Sequence, residues 1–203
     1  SDGYKARVPA GWLSLLVNAG DGIDLDVFLA RQPKDRMVRK LGQQLRINRS
    51  KIKETSDTNT DFDDLDGAIR SGYFLKDGLS NNEDFYYLNL LITVTAGSVD
   101  DLEWKVAEMK KLLLSQDMDV QTCSFCQEQA FLSSLPLVSL ERQLYERSKR
   151  NVLTTGAASC YPFTSYEMCD DNGILLGVNK HNNSLIIVDI FDSRVYKNAN
   201  IAI

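Results

Sequence analysis

The chain has 203 residues, of which 43% are hydrophobic, 25% charged and 9% aromatic, and a formal net charge of -5. These values fit a globular protein and exclude collagen-like, mucin-like, coiled-coil rod and small disulfide-scaffold classes. A chain of this size buries about 70% of its unfolded surface, so it folds without disulfides or a structural metal.

Tyr4 to Pro9 reads as a short extended run, and Trp12, Leu15 and Leu16 as one face of a short helix. After Gly20-Asp21-Gly22, the residues Ile23, Leu25, Val27 and Leu29 alternate with Asp24, Asp26 and Phe28 at the strand period. Pro33 suits a helix start, and Val38, Leu41, Leu45 and Ile52 mark a stripe running to about Glu54. Thr55 to Thr60 is a polar loop, and Phe62, Leu65 and Ile69 face inward on a second helix that fades near Gly78. Residues 85 to 95 make the strongest strand pattern. Ser98 caps a helix whose inward face is Val99, Leu102, Val106, Met109 and Leu113, with Asp100 and Asp101 at its positive end. Asp119 to Gln127 reads as a further strand, and Leu140 and Leu144 lie on a basic helix. The β runs 174–178 and 185–190 follow in a turn-rich tail.

This order predicts an α+β fold: an antiparallel sheet with helices on one face, of the ferredoxin-like split βαβ kind. Residues 1–137 form that domain, 138–150 a linker helix, and 151–203 an incomplete β-rich segment. The uncharged apolar stretch Phe85 to Val99 is too short to span a bilayer and carries Asn89, Thr93 and Thr95. A cytoplasmic location is the expectation. The chain opens at Ser1 without a methionine and stops within apolar Asn200–Ile203, so a piece of a longer protein is expected.

Residues 31 to 53 hold nine Lys or Arg against one acid, Asp35, and residues 54 to 66 answer with six acids and no base. Arg36, Arg39, Lys40, Arg46, Arg49, Lys51 and Lys53 therefore form a candidate patch for an anionic partner: phosphates, anionic lipid or an acidic protein. The competing reading is a solvated outer face neutralised by the acidic segment beside it. Net negative charge and the lack of interleaved aromatic residues favour that second reading, and argue against a dedicated nucleic-acid binder.

Four cysteines are too sparse for a stapled secreted domain and suit a reducing compartment. Cys123-Ser124-Phe125-Cys126 is a CxxC, but Cys160 and Cys169 lack the spacing of a second zinc pair. On the expected strand, positions i and i+3 point to opposite faces, so these thiols should diverge and act as buried structural cysteines. Asp57, Asn59 and Asp61 suggest a calcium loop until Phe62 and Ala68 stand where it needs Gly and Glu. His181, the single histidine, lies in an Asn-rich turn signal. No nucleophile elbow and no phosphate loop occur. The residues themselves thus supply no catalytic, cofactor or metal site.

A succession in the second half carries more. It comprises Gln129-Ala130-Phe131, Leu135-Pro136-Leu137, Arg150 to Gly156, Tyr161-Pro162-Phe163, Asn172 to Asn179, Val188 to Asp192, and Asn198 to Ile203. It resembles the conjugative-transfer and type IV secretion ATPases of the CagE/TrbE/VirB family, in the form carried by integrative conjugative elements of Gram-positive bacteria. Residues 1–127 match only in general layout. The resemblance implies that Asn198 to Ile203 lead toward the parent's Walker A loop, with ATP and Mg used by the parent and not by these residues. It also implies an oligomeric, peripherally membrane-associated motor, with residues 1–137 docking onto channel proteins at the inner face of the membrane and onto neighbouring subunits.

Overall fold

A computed structural model describes residues 8–54, 60–164, 168–180, 183–198 and residue 200. The elements are, in order, α1 (Ser14–Val17), β1 (Ile23–Gln32), α2 (Lys34–Glu54), α3 (Thr60–Ser80), β2 (Phe85–Val94) and α4 (Val99–Leu114). They continue with α5 (Gln127–Ser134), α6 (Arg142–Ser148), β3 (Arg150–Leu153), α7 (Thr154–Ser159), β4 (Ile174–Val178) and β5 (Leu185–Val188). The class is α+β: a three-stranded antiparallel sheet in the order β1-β2-β3 with helices, and a separate β4-β5 pair. The expected strand at Tyr4–Pro9 falls largely outside the described residues, as does the loop at 55–59.

β2 is the centre of the molecule because it pairs with β1 along ten residues, Ile23↔Val94 to Gln32↔Phe85, and with β3 from Phe85↔Leu153 to Leu88↔Arg150. Alternation then sends its side chains into two different cores. Leu88 packs with Trp12, Leu13, Leu16, Met109, Leu113, Met118 and Cys160, supported by Leu25, Leu90 and Ile92. Phe85 and Tyr87 point the other way, into Met37, Leu41, Leu75, Leu79 and Leu153. Helices therefore cover both faces of β2, where the pattern led us to expect one. The reason is visible in β2 itself, whose residues from Phe85 to Leu91 are buried or half-buried on both faces, the mark of a strand enclosed on two sides.

Each fully buried large side chain here contributes about 1.5–3 kcal/mol of transfer free energy. Close approach matters as much as apolarity. A methyl group at Gly78 would lie 2.2 Å from Leu153 Cδ1, so glycine lets α3 press onto β3.

Several inward positions shift by one residue. Leu13 is buried where Leu15 was expected, and Met37 where Val38 was. Val99 and Leu102 are exposed, so only the later turns of α4, through Met109 and Leu113, are sealed. The N-cap of α4 is as expected, with Ser98 Oγ accepting from Asp101 N at 3.2 Å.

Three boundary expectations are corrected. Residues 119–127 are not a strand: the backbone after α4 is irregular and closes a turn that leads into α5. The linker helix of 138–150 shortens to α6 and docks on the sheet. Its Leu144 is buried, its first turn is capped by the Glu141 carboxylate, and Asn89 Nδ2 donates to Tyr145 O at 2.9 Å and Ser148 Oγ at 2.8 Å. Finally, residues 150–160 complete the first sheet and its core instead of opening a second unit at 151. Glu83 holds the start of α7 by accepting from Thr155 N and Oγ1, and Cys160 is sealed among the residues packed on Leu88.

Candidate anionic-partner site

All seven predicted cations, Arg36, Arg39, Lys40, Arg46, Arg49, Lys51 and Lys53, are exposed on α2. They do not form one line. The buried stripe of Met37, Leu41 and Leu45 fixes which side of α2 faces the protein, and the cations divide around it. Arg39, Arg46 and Lys53 recur every seventh residue along the outer side. Arg49 leans toward α3, where its Nη1 donates to Tyr73 OH at 3.1 Å. Arg39 and Arg46 fold back to carbonyl oxygens one turn earlier, Asp35 O and Gly42 O, both at 3.3 Å.

Lys40 leans the other way, toward the sheet. Its Nζ donates to Tyr87 OH at 3.2 Å, while that hydroxyl lies 3.9 Å from Met37 Sδ. Lys149, brought alongside by α6 and β3, sits 5.5 Å from the Tyr87 ring centroid and 5.6 Å from that of Tyr145. Lys40 is 5.8 Å from the Tyr87 centroid. A mostly buried ring thus carries two ammonium groups, an arrangement attracted by the ring quadrupole. The edge-on contacts of Phe85 with Tyr87 and of Tyr87 with Tyr145 keep these rings fixed.

The result is an open cleft of about 280 Å³ bordered by Met37, Lys40, Gln44, Tyr87, Arg147 and Asn151 among others. Glu146 is its acid, ion-paired to Lys149. That pairing holds the Glu146 carboxyl below its ordinary range and the Lys149 ammonium above its own. Burial, followed by the neighbouring Tyr87, pushes the Tyr145 phenol up. With three cations and one carboxylate, the cleft can receive a single anionic group such as a phosphate oxygen cluster.

Sequence reading found Lys40 but missed Tyr87, Glu146, Arg147 and Lys149. The basic character of the helix containing Arg147 and Lys149 was the signal available, though nothing local ties it to Lys40, more than 100 residues away. Cys123 and Cys126 are also brought together. They lie in a turn leading into α5 and not on a strand, so their thiols converge where divergence was expected. All four cysteines are free. His181 lies outside the described residues, as do Asp57 and Asn59; among the described residues no group of three His, Cys, Asp or Glu is placed to hold a metal. No described helix is long and apolar enough to cross a membrane.

No family model matches the chain, and neither curated proteins nor solved structures yield a match.

Proposed function

We propose that the chain is a non-catalytic docking part of a conjugative-transfer or type IV secretion ATPase, acting through protein–protein contacts with channel components and neighbouring subunits. One observation carries this reading. In the β4-β5 pair, Ile174, Leu175, Leu176, Val178 and Leu185 are all exposed, and Phe191 and Val195 extend the apolar surface. A strand apolar on both faces belongs inside a layered α/β domain, and an isolated two-stranded hairpin is marginal in water. The hairpin is, in this reading, a strand pair of the motor's nucleotide-binding domain, covered there by the rest of that domain. In this reading ATP and Mg bind elsewhere in the parent, and the location is cytoplasmic at the inner face of the membrane.

The natural reading frame beyond Ile203 tests it first. A glycine-rich loop ending in Gly-Lys-Ser or Gly-Lys-Thr within about ten residues is the expected result. A frame that stops, or continues without that loop, defeats the ATPase assignment. Mixing the purified chain with inner-membrane channel components tests the docking role separately, and absence of binding counts against it.

A second reading rests on the convergence of Lys40, Arg147 and Lys149 on α2's basic side: binding of phosphate groups, as on single-stranded DNA or an anionic surface. Such binding weakens steeply with salt, roughly in proportion to the number of phosphates engaged. A flat salt response, or no binding at low salt, removes it.

A further inference from the structure

The CxxC is the motif that neither reading uses. Cys126 N–H donates to Cys123 O at 3.2 Å, closing a four-residue turn. Phe125 occupies that turn with φ +63 and a fully exposed side chain. A turn of this kind holds its end Cα atoms within about 7 Å, the span that a disulfide bridges. The Cys126 side chain is near enough to raise the Cys123 thiol's hold on its proton. Their surroundings differ: Cys126 is buried at the start of α5, and Cys123 is half-exposed. An oxidant therefore reaches Cys123 first and finds Cys126 directly behind it.

We infer that Cys123 and Cys126 form a redox-active dithiol that closes to an intramolecular disulfide by exchange with low-molecular-weight disulfides. The Cys123 thiol gives its proton to solvent and its sulfur attacks one sulfur of the small disulfide, forming a mixed disulfide and expelling one small thiolate. The Cys126 sulfur, also deprotonated, attacks Cys123 Sγ and expels the second small thiolate. The two expelled thiolates take up the two released protons. Two electrons pass from the protein pair to the small disulfide, which leaves as two thiols.

Burial and the facing Cys126 hold the Cys123 thiol above its ordinary range, and the Arg147 guanidinium opposes them only partly. Closure is thus slow compared with a thiolate already formed at neutral pH. The other two cysteines have different surroundings. Cys160 is sealed in the core, its Sγ donating to Gly156 O at 3.3 Å, and Cys169 lies on the exposed β4-β5 segment.

The test equilibrates the whole chain with mixtures of reduced and oxidised glutathione, quenches in acid, alkylates free thiols and reads intact and peptide masses. The expected result is loss of two hydrogens localised to the peptide joining Cys123 and Cys126. Cys160 should remain alkylated, and the exposed Cys169 should carry at most a glutathione adduct and take no part in the loss of two hydrogens. Cys123→Ser should abolish both the disulfide and the glutathione adduct. Cys126→Ser should trap glutathione on Cys123, a product that a merely structural pair would not give. A persistent glutathione adduct on Cys123 in the unsubstituted chain, a disulfide linking two chains through Cys169, or no oxidation of the pair would each overturn the inference.

Discussion

The two sheets of this protein make a controlled contrast. Both contain strands apolar on two faces, yet β2 is enclosed by β1, β3 and two helical layers, while β4 and β5 pair with each other and, through Ile187 alone, with a single bridge to Cys169. Leu88 is 2% exposed and Leu176 is 65% exposed, although both are leucines in a strand. Strand-forming pattern and burial are thus separate properties. The first is written in a few consecutive residues, and the second depends on what else the chain brings to that surface.

The contrast breaks most directly by truncation. Leu88→Ala should destabilise the fold by about 3 kcal/mol, because it empties a fully packed site whose neighbours on two elements cannot collapse into it. Leu176→Ala should change stability by less than about 0.5 kcal/mol, since its side chain is already in water. Denaturant unfolding of the two variants checks both, and equal losses would mean that the hairpin is covered in solution.

A smaller effect probes the closeness of packing. Gly78→Ala should cost about 1–3 kcal/mol by overpacking against Leu153, measured by the same unfolding curves. An unchanged midpoint would show that α3 and β3 part easily.

Charging the hairpin sharpens the comparison without touching the first core. Leu175→Lys together with Leu176→Lys should leave the main unfolding midpoint in place and lower binding of a hydrophobic dye. If self-association occurs through this surface, sedimentation should show it reduced by the same pair.

The smallest expected effect lies on β1. Burial, with the neighbouring Asp24 charge, holds the Asp26 carboxyl above its ordinary value of 3.8. A carboxyl whose folded value exceeds its unfolded one favours folding when protonated, and that contribution is lost as pH rises through the folded value. Asp26→Asn should therefore raise the midpoint slightly at neutral pH, with the gain fading below the ordinary value. Thermal melts at two pH values distinguish this from a loss of structure.

Local pattern determined a good deal. The period-2 runs at Ile23–Leu29 and 85–95, the helical stripe of α2 with Pro33 before it, the Ser98 cap of α4, and the hairpin strands near 174 and 185 all follow from interactions among residues a few positions apart. The basic face of α2 was equally legible, because charge and helical spacing are both local. Tertiary structure alone decided the rest. Nothing near residue 150 announces that Arg150–Leu153 will pair with Phe85–Leu88 of β2, and nothing in the apolar pattern of 119–127 announces that the CxxC closes a turn instead of a strand. The pairing of β3 with β2 carried Lys149 beside Tyr87, where α2 had already placed Lys40. Strand pairing and helix docking select among distant partners by register, volume and unsatisfied hydrogen bonds, and none of these is encoded in the residues next to the one being placed.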